Sequence, residues 1–520
     1  MLNRQLAFVR WTPVLLLALC SAASGVAEEK RLSHAAALES LAAKDLGAIV
    51  DYLANDSFEG REAGSRGGRA AGDYLLGEMP EFRLQRAGEN GTYVQDFGNG
   101  FRNLLGLVEG SDPKLKNQVI LVGAHYDHVG YGHRYDSFGP IGYIHNGADD
   151  NASGTSGVLM LARALTFLGE RPKRSVLFAF WDAEEKGLVG SRYWTNHPTL
   201  PLRRLAFVLN LDMIGRLRSD HLIIVGTRMG YGLRRLASEQ NADGSLRIEF
   251  PWEIKANADH FPFYERQIPA LTIHTGEHED YHRPSDKAAK INRDGMQRVA
   301  RFAFQTLYEL ANSTELTGYR DAARGESKES EKSLLEGAQK PPDRLGAICR
   351  PLDDAALGAV LSGIVPGSPA ERAGLQLGDR VMQFAGRDIR NAEQLARQIE
   401  TAQNPVEAQV RRAGSSAPLK LKLELDGSPM RIGITWRVDE AEPGTVLLTY
   451  VLPDSPAAKA GLAAGDRIYR IGGRNFADEK EFAERVRSQK SGPIEFSVER
   501  DGRIRCATIR FMVEELKRAA

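Results

Sequence analysis

The stretch SVLFAFWDAEEKG, residues 175–187, ends an apolar run with two adjacent carboxylates, Glu184 and Glu185. Neighbouring acids repel, and the end of a strand needs neither, so the pair asks for a cation to bind or a proton to move. Similar residue types follow other short apolar runs. His125 and Asp127 come after NQVILVGA, Asp150 lies in the loop NGADDNASG, Asp212 follows LAFVLNL, and His282 follows PALTIHTGEHEDY. Imidazoles and carboxylates without a thiolate suit zinc or a related divalent ion, and an oxygen-rich set suits two ions sharing a carboxylate. In such a site one glutamate holds a metal while its neighbour moves protons.

These residues are scattered over more than 150 positions, so a fold must gather them. Short apolar runs (NQVILVGA, SVLFAFWD, LAFVLNLD, PALTIHT) alternate with amphipathic ones (SGVLMLARALTFL, GMQRVARFAFQTLYELA). That alternation predicts an α/β unit with a mostly parallel or mixed central sheet flanked by helices, and two further helices over 34–54 and 67–79 lead into it. In an open sheet of this kind ligands sit at the C-terminal strand edge, where these acids and histidines fall. Residues i and i+2 of a strand face the same way, so Asp127 is expected to reach the second ring nitrogen of His125 and fix its tautomer. Tyr281 and Asp286, beside His282, are expected either to orient it or to line the pocket.

The whole chain sets wider bounds. Its 520 residues imply several domains, and 68 basic against 68 acidic residues give no net field for a nucleic acid. Arg4 and Arg10 precede the apolar WTPVLLLALC, and small residues run on to Gly25-Val26-Ala27. This is the layout of a signal peptide over 1–27, too short for a membrane span, and it predicts export to a periplasm or the exterior. Leu19 ahead of Cys20 stands against a lipoprotein. The two remaining cysteines, Cys349 and Cys506, are expected as buried small apolar residues rather than a disulfide.

Residues 313–343 are polar, charged and closed by Pro-Pro, which predicts a linker with some helix. Beyond it the chain repeats. SPAERAGL at 368–375 returns as SPAAKAGL at 455–462, and GDR at 378–380 returns at 465–467, both displaced by 87 residues. Two copies of one small module are expected, over 344–428 and 429–516.

Five spaced motifs, GAHYDH (123–128), NGADDNASG (146–154), WDAEEKGLVGS (181–191), NLDMIG (210–215) and DYHRPSD (280–286), resemble those of the M28 family of co-catalytic zinc aminopeptidases, and FEGREAGSRGG (58–68) matches the N-terminal portion of many members. The resemblance spans most of residues 31–312, within a domain expected over 28–312. It implies two zinc ions, one held by His125 and Asp212, the other by Glu185 and His282, with Asp150 bridging. It further implies Glu184 as general base and substrates with a free N-terminus. The repeated modules resemble tandem PDZ domains of envelope proteases. Their carboxylate-binding turns would be Leu345-Gly346-Ala347 and Ile432-Gly433-Ile434, receiving peptide C-termini at a sheet edge. Packing of either copy against the catalytic domain is the alternative role.

Related folds leave two competing activities, a carboxypeptidase or a one-zinc glutaminyl cyclase, and a third reading is an inactive peptidase fold serving as a PDZ scaffold. The other histidines receive plainer readings. His128, His133 and His145 are assigned to a Gly- and Tyr-rich pocket wall, the long loop 129–146 is alternatively a lid, and His260, His274 and His278 have no assigned duty. Phe180 and Trp181 are expected in the core.

Overall fold

The computed structural model describes residues 32–336, 343–350, 357–489 and 492–510; the expected signal peptide lies outside them. The first unit carries helices α1 (His34–Ser40), α2 (Ala43–Leu53), α3 (Arg66–Glu81), α4 (Gly154–Thr166), α5 (Val189–Asn196), α6 (Leu233–Gln240), α7 (Phe261–Glu265) and α8 (Arg293–Asn312). Its strands are β1 (Gln85–Arg86), β2 (Val94–Asp96), β3 (Arg102–Val108), β4 (Val119–His125), β5 (Ser175–Trp181), β6 (Leu205–Leu211), β7 (His221–Val225), β8 (Arg247–Glu249) and β9 (Ala270–His274). They form one mixed sheet in the order β1-β3-β5-β4-β6-β9-β7-β8, with β2 beside β3.

Four central strands, β5, β4, β6 and β9, run parallel. Their apolar runs feed both faces. Ile120, Val122, Val176, Phe178 and Leu209 enter the core under α2, α4 and α8, while Val119, Leu121, Leu177 and Trp181 enter a second core with Trp194 and Phe263. A strand covered on both sides has to be apolar throughout, which is why these segments read as unbroken hydrophobic runs. From β4 the chain crosses to β5 on one side and then to β6 on the other. That reversal opens a crevice beyond the carboxyl ends of the strands. Phe180 and Trp181 are fully buried, as expected.

The predicted linker is partly helical, as α9 (Lys328–Glu336), and its first half packs on the α/β unit through buried Arg320, which pairs with Glu326. Two β-rich modules follow. The first holds β10 (Ala347–Arg350), β11 (Ala359–Ile364), β12 (Arg380–Phe384), β13 (Arg387–Asp388), β14 (Val406–Arg411) and β15 (Leu419–Leu423), with helices α10 (Pro369–Arg372) and α11 (Ala392–Thr401). The second holds β16 (Ile434–Val438), β17 (Val446–Val451), β18 (Arg467–Ile471), β19 (Ile494–Arg500) and β20 (Arg503–Ile509), with α12 (Pro456–Lys459) and α13 (Glu479–Ser488). In each the first strand, β10 or β16, is a sheet edge.

The repeated motif builds the module. Ser368 and Ser455 cap α10 and α12, accepting from the backbone of Glu371 and Ala458. Asp379 and Asp466 accept from the amides of Gln376 and Ala463 and pair with Arg412 and Arg500. Gly346 and Gly433 take φ of 73° and 81°, and a Cβ on either would lie 2.2 Å from the Cβ of the capping serine. No side chain fits there. Of the two cysteines, Cys349 is half-buried and Cys506 is exposed, which corrects the expectation for both. Cys506 lies on β20 at a solvent-facing position of the alternation.

The second module is docked on the α/β unit. Ile248 of edge strand β8 donates to the Asp501 carbonyl at 2.7 Å, and Asn241 donates to the Gly502 carbonyl at 2.8 Å. Arg234 makes a two-pronged pair with buried Glu499, both bonds 3.0 Å. Arg228 lies 3.4 Å over the Trp252 ring and pairs with Asp439 and Glu326. Glu442 accepts from the amides of Arg234 and Arg235 at the start of α6. Glu499 has no exposure, so removing its partner leaves a buried charge, a loss of about 3–5 kcal/mol. Arg234→Ala is expected to lower the urea midpoint far more than Arg192→Ala, which removes the exposed pair with Glu265, where about 0–1 kcal/mol is at stake. Equal midpoints for the two variants would show that the interface does not stabilise the protein.

Candidate metal centre

All the candidate groups but Asp150 stand at or shortly beyond the end of a central strand. His125 is the last residue of β4; Glu184 and Glu185 lie just past β5, Asp212 just past β6, and His282 in the loop after β9. Asp150 precedes α4. The loops that carry them are tied by buried polar side chains. The Asp127 carboxylate accepts from the amides of Glu184 at 3.0 Å and Glu185 at 3.4 Å. Asp286 accepts from the amides of Asp149 at 2.9 Å and Asp150 at 3.2 Å. Asn151 accepts from the Met213 amide and donates to the Leu211 carbonyl, joining the Asp150 and Asp212 loops. Arg61, without exposure, donates to the carbonyls of Leu53, Tyr126, Asn146 and Gly147 and so holds the loops on either side of the cluster.

The side chains converge. His125 Nε2 lies 3.4 Å from Asp150 Oδ1 and 3.5 Å from Asp212 Oδ1. His282 Nε2 lies 2.9 Å from Asp150 Oδ2 and 3.1 Å from Glu185 Oε2. Asp150 thus offers one oxygen to each imidazole. Glu184 Oε2 lies 4.0 Å from His125 Nε2. Both rings present Nε2 inward. His282 Nδ1 is held by the Asp136 carbonyl, and His125 Nδ1 faces the Asp127 carbonyl at 3.3 Å. A carbonyl only accepts, so each Nδ1 keeps its proton, and each Nε2, turned to the carboxylates, is the nitrogen a cation would meet in place of a proton.

The orienting contact expected from the Asp127 carboxylate therefore comes from its main chain. The carboxylate oxygen lies 3.6 Å from His125 Nδ1, too long for a hydrogen bond. Strand β4 ends at His125, so the alternation that would aim Asp127 along it has already stopped, and its side chain turns to the Glu184-Glu185 backbone instead. Tyr281 stacks on His282 with ring centroids 3.9 Å apart, and Asp286 supports the Asp150 loop rather than His282.

The donor set fits metal ions. Donors held about 2.0–2.1 Å from one ion at tetrahedral or right angles stand roughly 2.9–3.5 Å apart, and the four inward contacts of Asp150, His125, Asp212, His282 and Glu185 fall in that span. Two groups, His125-Asp150-Asp212 and His128-Asp150-Glu185-His282, each bring their ligand atoms within 4.8 Å of one another. Asp212 Oδ1 is buried with no hydrogen-bond partner among the described residues. Burying this many carboxylates costs several kcal/mol each unless positive charge accompanies them.

The two adjacent glutamates are driven apart electrostatically. Burial pushes the Glu184 carboxyl well up, and Glu185, Asp259 and Asp212 add to this against the pull of His125. Burial and Asp150 push Glu185 the same way, yet His282 and His128 overcome both and hold it at about 2. His282, despite burial, is raised to about 12 by Glu185 and Asp150. One glutamate is suited to carry a proton and the other to stay ionised, the arrangement that assigns acid–base and ligand duties to a pair.

Three contributors escape a reading of sequence alone. His128, assigned above to a pocket wall, has its Nδ1 2.7 Å from Glu185 Oε1. Asp259 is buried, with the Ser191 hydroxyl beside it short of a well-formed hydrogen bond, and burial pushes it to about 7 against the pull of His125. His278 faces Asp149 at 3.2 Å, and Asp149 accepts from the Gly215 amide at 2.6 Å. The signals were present in GAHYDH and NADHF, as a second histidine and an Asp-His pair, but neither follows a strand directly. Loop 129–146 exposes Tyr131, Tyr135, Phe138, Ile141 and Tyr143, and Phe138 lies 6.0 Å from the His282 ring. The PDZ-type turns stand apart in the two modules. Leu345, Ile432 and Ile434 are buried, Ala347 is half-buried, and the amides of Leu345 and Gly433 are taken by Asp343 and by the Met430 carbonyl.

The chain is 26% identical over 275 residues to leupeptin-inactivating enzyme 1 of Streptomyces exfoliatus, covering 53% of this chain and 56% of that protein. It is 28% identical over 260 residues to leucine aminopeptidase 2 of Trichophyton rubrum, covering 42% and 48%. The chain thus spans about half the length of the curated relatives it matches. Among solved structures it is similar to BSAP, a zinc aminopeptidase from Bacillus subtilis, at 18% identity and a TM-score of 0.42, over 53% of this chain and 97% of that one. The family models match residues 103–307, 360–412 and 447–500, so this chain carries a domain of peptidase family M28 followed by two PDZ domains.

Proposed function

We propose that this protein is an exported aminopeptidase that hydrolyses the N-terminal peptide bond of peptides, using two zinc ions and Glu184 as general base. The observation that carries the reading is Asp150, whose two oxygens face two separate imidazoles with Glu184 alongside. His125 and Asp212 would hold one ion, Glu185 and His282 the other, and Asp150 both. Zinc bound there supplies Lewis acidity, polarising the scissile carbonyl and acidifying water.

The remaining steps belong to the chain. Glu184, kept receptive to a proton by burial and by its acidic neighbours, takes one from the attacking water and delivers it to the leaving amine. Asp127 fixes Glu184 through its backbone amide, so that the carboxyl is placed before substrate arrives. Asp259, buried close enough to Glu184 and Asp212 to repel both, would favour the ammonium of a free N-terminus over a blocked one. Export rests on the basic and apolar pattern of residues 1–27. Among the described residues no helix is long and apolar enough to cross a membrane. The PDZ pair is assigned the recruitment of substrate or partner C-termini at the edge strands β10 and β16.

Glu184→Ala is expected to keep its zinc and lose about 10²–10⁴ in kcat on an aminoacyl anilide, while Glu185→Ala loses zinc, as metal analysis after dialysis will show. Near-normal turnover in the first variant would remove Glu184 from its role. Peptides with acetylated N-termini should resist cleavage, and their hydrolysis at the same rate as free peptides would redirect the reading to another peptidase class. Gly346→Val, which breaks the turn of the first PDZ domain, is expected to leave anilide turnover unchanged and raise KM for longer peptides. An equal effect on both substrates would make that domain a structural part only.

A further inference from the structure

His128 has no part in the mechanism above, yet it is fully buried in the centre. Its Nδ1 lies 2.7 Å from Glu185 Oε1 and 3.9 Å from Asp150 Oδ2, and its Nε2 has no partner among the described residues. The ring stands edge-on to His282, with centroids 5.5 Å apart. Gly147 leaves the space for it, since a Cβ there would lie 2.5 Å from His128 Cγ and Cδ2.

The contact to Glu185 distinguishes two roles. Two donors on one ion stand roughly 2.9–3.5 Å apart, whereas a charge-assisted N–H···O⁻ bond is about 2.7–2.9 Å long. At 2.7 Å the Nδ1–Oε1 contact has the length of the hydrogen bond. An ionised carboxylate can only accept, so Nδ1 carries the proton. Glu185 Oε1 is then engaged, and Oε2, 3.1 Å from His282 Nε2, is the oxygen left facing the metal position.

We infer that His128 is a positioning residue, whose Nδ1–H bond to Glu185 Oε1 keeps Oε2 turned to the metal position and so raises the zinc affinity of the Glu185-His282 half-site. The inference rests on the metal reading above and concerns affinity, not turnover. Outer hydrogen bonds of this kind are worth about 10–100-fold in metal affinity.

The test is zinc titration of the chelator-stripped full-length protein against a chromophoric competitor, with circular dichroism confirming that each apoprotein is folded. His128→Ala should weaken one of two binding events 10–100-fold and leave the other within about twofold. His128→Asn, whose carboxamide nitrogen can stand in for Nδ1, should recover most of the loss. Wild-type affinities in His128→Ala overturn the inference. So does an asparagine variant as weak as the alanine one, because the imidazole would then act as a ligand or as packing. If the wild type takes up a single ion, the two-ion reading fails on its own account. Glu185→Ala then locates that ion, and the inference is overturned if the ion does not depend on Glu185 or if His128→Ala leaves it unchanged.

Discussion

The structure depends on bringing five mutually repelling carboxylates, Asp127, Asp150, Glu184, Glu185 and Asp212, to one buried edge of a sheet. Nothing in the apolar core favours this. A buried ionised group is tolerated only when paired or hydrogen-bonded, so each acid must either accept from a fixed donor or face a cation. The acids divide along that line. Asp127 spends its carboxylate on two backbone amides, while Asp150, Glu185 and Asp212 turn theirs toward imidazoles and toward one another. The centre is therefore an electrostatic deficit waiting for positive charge, built on a scaffold that can afford no movement of the loops.

That rigidity has identifiable sources. The parallel strands β5, β4, β6 and β9 fix the spacing of the loop origins, and the loops are then bound to one another by buried polar groups instead of by apolar packing. Arg61 is the largest of these ties. Its four carbonyl acceptors come from three chain segments, and its charge also offsets Asp150, Asp286, Asp127 and Glu185. Burial lowers its pKa to about 10, so it remains a cation at any physiological pH. A guanidinium suits the task because its five donors diverge in a plane.

Much of this was legible in the sequence, and the part that was not has a physical reason. Unbroken apolar runs ending in acid or histidine marked strands covered on both faces, and hence where the donors would meet. The 87-residue repeat marked the modules, because capping serine, turn glycine and paired aspartate are local devices that cannot vary without breaking the turn. His128 was passed over because it lies beyond the end of β4, where periodicity no longer says which way a side chain points. The two backbone amides that the Asp127 carboxylate holds, of Glu184 and Glu185, escaped for the same reason. The exposure of Cys506 follows from strand register, which short sequence segments do not specify. Docking of the second module was invisible because its arginines and acids lie more than 200 residues apart, each indistinguishable from an ordinary surface charge.

That docking also explains why two copies of one module need not have one duty. Glu499 pairs across the sheet with Arg467, and the equivalent pair in the first copy is Arg411 with Arg380. Where the second module offers a carboxylate to Arg234, the first would offer a guanidinium. Like charges at a desolvated contact repel, so the first copy is excluded from this position by a single reversal of sign, whatever its fold. The first module meets the second through the Met430 amide on the Glu400 carbonyl and the exposed Arg397–Asp454 pair. One copy extends the body of the peptidase unit through the Ile248–Asp501 and Arg234–Glu499 contacts, and the other lacks the carboxylate on which the second of these depends.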